Sequence, residues 1–223
     1  MDDIFHDIQD DLRRDNLIKF FKSYGKYILA AGAAIVILTC GFLYWQHHQE
    51  RTRAQHADAY ARALLATTQA DPTQALKDLE AVSKVGGGYA SLAEFKRAAL
   101  LMQTKPGTAP NLENKAIAIK IYQDLAKNSK IDLKLRHLAT VLLVLATLDQ
   151  EDPQKLLALL GTLSVGSNPW TPLVSELSAL LNFKMGNFKQ AEGLYKNLIE
   201  ARETPDSIRM RSKALMTRMK AGL

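Results

Sequence analysis

The chain has 223 residues, of which 47% are hydrophobic, 23% charged and 7% aromatic. This balance is typical of a packed globular protein and excludes a disordered chain, which could not bury enough apolar surface. The net charge of +6 is modest, and the single cysteine, Cys40, excludes an intramolecular disulfide framework and a multi-cysteine zinc site.

Residues 1–26 form a charged N-terminal segment in which most of the acids precede the bases. Within it, Ile4, Ile8 and Leu12 fall on one face of a helix, with Phe5 beside them. The pattern predicts a cytoplasmic amphipathic helix that lies on the inner leaflet of a membrane or on a partner. A frayed tail that ends in basic residues is an equal alternative.

An uncharged apolar run follows over residues 27–45. Its 19 residues would make a helix of about 28 Å, which matches a bilayer core of about 30 Å. Aromatic residues stand at both ends, as in the aromatic belts of membrane proteins: Tyr24, Tyr27, Tyr44 and Trp45. The run therefore predicts a transmembrane anchor at residues 27–45.

Three alternatives to an uncleaved anchor fit this run less well. A cleaved signal peptide has a short basic start and small residues at its cleavage site, whereas this run follows 26 residues of mixed charge and ends in Phe-Leu-Tyr-Trp. A lipoprotein signal places a small residue before its cysteine, whereas Thr39 precedes Cys40. A buried core helix rarely combines aromatic collars with basic flanks. The excess of bases before the run predicts a cytoplasmic N-terminus, with residues 46–223 outside.

Residues 46–223 show a repeated pattern of apolar positions with helical spacing. Four times, a small or apolar residue is followed by apolar or aromatic ones four and seven positions later, on the same helix face. The first two positions of the four copies are Ala75 and Leu79, Ala118 and Tyr122, Leu156 and Leu160, and Ala191 and Tyr195. Each copy follows another helical stretch, so the sequence predicts four helix pairs that must stack, because one pair cannot bury both of its faces.

Boundary signals agree with these pairs. Asp71-Pro72 and Asp152-Pro153 each place a capping acid before a proline at the first helical position. Gly86-Gly87-Gly88 ends the first pair as a flexible turn. A last, basic helix over about residues 206–220 is expected to cap the stack.

The stretch GNFKQAEGLYKNLIEARETP, residues 186–205, resembles the second half of a tetratricopeptide repeat. Gly186 matches the tight turn, Ala191 the small packing residue and Tyr195 the aromatic residue. The first half of this copy departs from the family, with Ser175, Ala179 and Asn182 in place of its Trp, Gly and Tyr. The predicted fold is all-α: a single N-terminal transmembrane helix, then a tetratricopeptide-like α-hairpin solenoid.

The whole layout resembles a more specific family, the ancillary SecYEG translocon subunit (YfgM-like) proteins. The resemblance is carried by the opening MDDIFHDIQDDLRRDNLIKFFKSYGKYI, one apolar run and degenerate repeats. It implies a protein of the bacterial inner membrane with a cytoplasmic tail and a periplasmic repeat domain. It also implies partners in the secretion channel and among membrane-anchored periplasmic folding factors.

The sequence offers no arrangement of residues that predicts catalysis, and we expect no enzyme, cofactor or metal. Neither GxSxG nor HExxH occurs, and His47 and His48 would point about 100° apart on a helix. Acids such as Glu94, Asp124 and Glu176 are explained by pairing with bases one turn away. The basic C-terminal stretch lacks interleaved aromatic residues, which argues against nucleic acid.

The expected function is that of a membrane-tethered protein-binding scaffold. With the family resemblance, it is an ancillary subunit of the secretion channel that assists chaperone recruitment or periplasmic folding. The alternative is a scaffold for cell-envelope or cell-division machinery. Trp170 is expected to be a staple at the start of the fourth pair or, less favourably, a groove anchor.

Overall fold

The computed structural model describes the backbone of residues 3–68, 72–103, 111–163 and 168–220. It describes side chains over the same ranges except residues 3–25, 28, 29, 31, 33, 68 and 220. Every regular element in these ranges is an α-helix, which confirms the predicted all-α class. The helices are α1 Asp3–Thr68, α2 Pro72–Ser83, α3 Gly87–Leu101, α4 Leu112–Lys127, α5 Leu133–Thr147, α6 Pro153–Gly161, α7 Thr171–Lys184, α8 Phe188–Glu200 and α9 Asp206–Lys220.

The chain divides into two compact units, Met1–Ala57 and Asp58–Leu223. The described backbone of the first unit belongs to α1. Large apolar side chains within residues 35–38 and 42–45 of this unit are between 56% and 77% exposed. The apolar side chains of residues 35–38 and 42–45 thus lie on several sides of α1 and are largely exposed.

Among the residues that the structure describes, no helix is both long enough and apolar enough to cross a membrane. The anchor predicted at residues 27–45 includes residues 28, 29, 31 and 33, which lie outside the described side chains. Tyr24, one of its predicted interface residues, also lies outside them. The other three are exposed: Tyr27 by 62%, Tyr44 by 77% and Trp45 by 60%.

Three helices of the second unit, α4, α5 and α6, begin at side chains that accept hydrogen bonds from free backbone N–H groups. At α6, the Asp152 carboxylate accepts a hydrogen bond of 2.9 Å from the backbone N–H of Gln154, and Pro153 opens the helix. At α4, the Asn111 side chain accepts one of 3.1 Å from the backbone N–H of Asn114. The predicted cap at Asp71 lies outside the described residues.

The core of the second unit is built from the repeated small and large positions. All eight predicted packing residues are at most 4% exposed: Ala75, Leu79, Ala118, Tyr122, Leu156, Leu160, Ala191 and Tyr195. From α2 to α9, each helix packs against the next one along the chain, and α7 also packs against α5 and α9. The eight positions therefore lie between the helices, where they set helix spacing and do not face solvent.

Candidate protein-binding surface

Helices α5 and α7 are joined at both ends in one register. At their N-terminal ends, Trp170 Nε1 donates a hydrogen bond of 2.9 Å to the carbonyl oxygen of Lys134. At their C-terminal ends, Lys184 Nζ donates one of 3.1 Å to the carbonyl oxygen of Leu148. Both bonds join residues 36 positions apart, so the two helices lie side by side and parallel, as the first helices of successive pairs. The bond at Trp170 gives it the role of a staple.

An ion pair continues this arrangement at the C-terminal ends of α5 and α7. Lys184 Nζ lies 2.7 Å from Oδ1 of Asp149. The hydrogen bond and the charge of Lys184 lower the pKa of the exposed Asp149 carboxyl group. Since both groups are accessible to solvent, the ion pair contributes little to stability. It shows which ends of α5 and α7 lie together.

Helix α9 packs beside α7, so α5, α7 and α9 form a row of neighbouring helices. Arg211 Nε and Nη2 donate hydrogen bonds of 2.7 Å each to Glu176 Oε1 and Oε2, over 35 positions of sequence. This pairing raises the pKa of Arg211, chiefly through the hydrogen bonds. The expectation that Glu176 pairs one turn away is wrong, because its carboxylate points from α7 to α9. Helix α9 therefore occupies the place that the first helix of a further pair would take.

Helices α5 and α7 also carry exposed and half-buried residues outside the core, which we call the first-helix face. This face is defined by Leu138, Leu145, Leu180, Asp149 and Lys184. The three leucines lie outside the core clusters of the described residues. Leu145 is 42% exposed, and the other two are half-buried. By helical spacing, Leu138 and Leu145 lie on the same side of α5 as Asp149. On α7, Leu180 lies one turn before Lys184. The first-helix face thus consists of apolar side chains, with the Asp149–Lys184 ion pair at its C-terminal end.

Several acids of the second unit pair with neighbouring bases. In the cleft between α3 and α4, of about 590 Å³, Arg97 contacts Glu94 at 3.6 Å and also reaches Glu80 at 3.4 Å. Lys84 and Arg97 together lower the pKa of Glu80. Within the described part of the chain, no group of three or more His, Cys, Asp or Glu residues could hold a metal ion.

Two buried polar residues were not predicted to have a structural role. Glu176 is buried and accepts the two hydrogen bonds of Arg211 on α9. Asn182 is 2% exposed. Asn182 donates a side-chain hydrogen bond of 2.8 Å to the carbonyl oxygen of Ser178 and accepts one of 3.3 Å from Asn187. The signal for Asn182 was available, since an amide stood where the repeat pattern has an aromatic residue. For Glu176 no sequence pattern indicates a distant partner.

Comparison with known sequences agrees with this architecture. The sequence model of the tetratricopeptide repeat-like domain family matches residues 19–218. No curated protein and no solved structure matches the chain significantly. Because the family match covers most of the chain, and the stacked helix pairs with their 35- to 36-residue register are what such repeats build, the chain belongs to the tetratricopeptide repeat-like domain family.

Proposed function

We propose that the protein is a membrane-tethered scaffold that binds segments of other proteins on its first-helix face. Tetratricopeptide-like arrays are typically non-enzymatic scaffolds that present an extended surface to partner proteins. The observation that carries the proposal is the locked register of α5 and α7, which leaves the exposed Leu145 and the half-buried Leu138 and Leu180 outside the core clusters. Leucines held on a rigid surface bind apolar side chains without the entropic cost of ordering the site.

The exposed apolar side chains of α1 support the membrane tether. Residues 35–38 are consecutive, so at 100° per residue they point to most sides of the helix, and each is at least 61% exposed. An apolar helix surface of this kind is unfavourable in water but favourable in lipid. We place the N-terminal segment in the cytoplasm and residues 46–223 in the periplasm of a bacterial inner membrane, as the distribution of basic residues favours.

The finer proposal is that the scaffold is an ancillary subunit of the SecYEG secretion channel and brings periplasmic folding factors to emerging chains. It is supported by the resemblance of the opening segment and layout to that family. A tether of this kind raises the effective concentration of the repeat surface near other membrane proteins. A scaffold for cell-envelope or division machinery is the second candidate, and septal enrichment of the protein would favour it.

Site-specific photocrosslinking of the full-length chain in intact membranes tests the proposal. A photoreactive residue at Leu145 reports on the first-helix face, and one at Leu112 serves as the matched control. Leu112 is 71% exposed but opens α4, a second helix. We expect position 145 to crosslink to channel components or membrane-anchored folding factors and position 112 not to do so. Equal crosslinking at both positions would contradict the first-helix face as the binding surface.

A separate experiment tests the tether. We expect the full-length chain to stay with the membrane during alkaline carbonate extraction, and residues 46–223 to be cleaved by protease added from the periplasmic side. Release of the chain into the supernatant would overturn the tether. Cleavage of the repeat domain only from the cytoplasmic side would overturn the proposed orientation.

A further inference from the structure

A cleft of about 400 Å³ lies where the C-terminal ends of α7 and α9 meet α8. Its lining consists of Phe183, Tyr195, Leu215, Arg218 and Met219, and we call it the terminal cleft. Four of these five side chains are apolar or aromatic, and the fifth is a cation. The volume falls within the range of pockets that bind small ligands or single anchor side chains, roughly 300–1,000 Å³.

Arg218 is an unpaired cation at this cleft. Its side chain is exposed and makes no ion pair or hydrogen bond with the described residues. The other two arginines of α9 differ, because Arg209 pairs with Asp206 at 2.9 Å and Arg211 with Glu176 at 2.7 Å. A guanidinium beside an apolar cleft is suited to hold a carboxylate in a bidentate pair.

The apolar surface continues beyond the mouth of the cleft. Phe183, which lines the cleft, packs edge-to-face against Phe188, with ring centroids 5.6 Å apart. Phe188 itself is 57% exposed, although it is one of the largest apolar side chains of the second unit. The cleft and Phe188 therefore form one apolar surface with Arg218 as a charged neighbour, which a purely structural end of the stack would not need.

We propose that the terminal cleft binds a segment of a partner protein in which an aromatic or large aliphatic side chain stands next to a carboxylate. The apolar side chain enters the cleft between Phe183, Leu215 and Met219, and the carboxylate pairs with Arg218. Charge complementarity selects an acidic segment over a neutral or basic one. This site lies on α7, α8 and α9 and does not depend on the first-helix face.

Methionine-methyl NMR of the full-length chain in detergent tests the proposal. The probe is the blocked tripeptide acetyl-Asp-Phe-Asp-amide. We expect it to shift the methyl signal of Met219 in a saturable way and to leave that of Met210 unchanged. Met210 is 67% exposed on the same helix but does not line the cleft, so it controls for non-specific binding. The Asn-Phe-Asn and Asp-Ala-Asp analogues should bind at least about tenfold more weakly, since each lacks one of the two required groups.

Two variants of equal charge change distinguish local pairing from general attraction. Arg218→Gln should weaken tripeptide binding by about tenfold, whereas Lys213→Gln should leave it within about twofold. Lys213 is exposed on α9 and lies outside the cleft lining. Both variants alter exposed side chains, and circular dichroism will verify their helix content. Equal weakening by the two variants, or an unchanged Met219 signal, would overturn the proposal.

A third variant separates this site from the scaffold surface. Leu145→Glu changes the first-helix face and should leave tripeptide binding at the terminal cleft unchanged. Loss of tripeptide binding in this variant would contradict an independent site. Intact tripeptide binding combined with absent crosslinking at position 145 would instead contradict only the first-helix face.

Discussion

Arg211 and Glu176 form a bidentate ion pair that fixes α9 on α7. The side chain of Glu176 is 9% exposed, whereas that of Arg211 is 53% exposed. The carboxylate is therefore held out of water by the fold, and Arg211 donates a hydrogen bond to each of its two oxygens from the solvent side. Among the described residues, the other contacts of α9 with the rest of the chain are apolar or lie at its start, so this pair is the polar contact that joins the body of α9 to α7.

We expect Arg211→Gln to lower the free energy of unfolding by about 2 kcal/mol. The substitution leaves a buried carboxylate without its charged partner, which costs roughly 3–5 kcal/mol for a fully buried pair and less where one partner reaches solvent. Urea unfolding of the full-length chain in detergent, followed by circular dichroism, measures the change.

A double-mutant cycle provides the control for this pair. Glu176→Gln combined with Arg211→Gln removes the uncompensated charge, so the double variant should be more stable than Arg211→Gln alone. Lys213→Gln removes a charge of the same sign from the same helix and should change stability by less than about 0.5 kcal/mol. Equal effects of the Arg211 and Lys213 substitutions would show that the pair contributes nothing specific.

The hydrogen bond of Trp170 provides a second prediction. Trp170→Phe keeps an aromatic ring against the apolar cluster that α5, α6 and α7 form together, but it removes the donor to the carbonyl oxygen of Lys134. We expect a loss of about 1–2 kcal/mol in the unfolding free energy, from the hydrogen bond and the smaller ring. Trp45→Phe is the matched control, because Trp45 lies in the first unit and is 60% exposed. A loss of the same size at both tryptophans would contradict the role of Trp170 as a staple.

Local patterns in the sequence were sufficient to predict the stack of helix pairs. A small residue followed four positions later by a larger one, as at Ala191 and Tyr195, places both on one helix face, and burial of that face requires a neighbouring helix. The cap at Asp152 is local in the same way, because donor and acceptor are two residues apart. Such signals depend only on helical geometry, which the sequence determines directly.

Contacts between first helices were beyond such reasoning. Glu176 meets Arg211 over 35 positions because α7 and α9 pack side by side, and their register follows from the packing of every residue between them. One-turn pairing was the simplest expectation for Glu176 and was wrong for this reason. The terminal cleft has the same origin, since its lining residues come from three helices whose ends meet only in the folded chain.

The hydroxyl group of Tyr195 makes stability depend on pH above about 10. Burial, with a smaller contribution from the Glu176 carboxylate, raises the pKa of Tyr195 to about 12. An unfolded tyrosine ionises near pH 10, so the folded state holds its proton more tightly. The contribution to stability is complete below about pH 10 and is lost as the pH rises through about 12.

Tyr195→Phe removes this titration. The stability of the parent chain relative to the variant should fall by about 1 kcal/mol between about pH 9 and pH 11. At neutral pH the variant should be at least as stable, because the buried hydroxyl has no hydrogen-bond partner among the described residues. Other tyrosines with raised pKa values, Tyr60 and Tyr122, are present in both proteins and cancel. A difference that does not change with pH would contradict the raised pKa.

The turn between α7 and α8 depends on a glycine with a positive φ angle. Gly186 has φ of 80°, a conformation that costs a residue with a Cβ atom about 1–2 kcal/mol, although no heavy atom would meet that Cβ within 4 Å. We therefore expect Gly186→Ala to lower the unfolding free energy by about 1 kcal/mol through backbone strain alone. Gly193→Ala, inside α8 and equally free of contacts, should raise it by about 0.5–1 kcal/mol, because alanine favours the helix. If both substitutions changed stability in the same direction in urea unfolding, the assigned backbone conformation at Gly186 would be wrong.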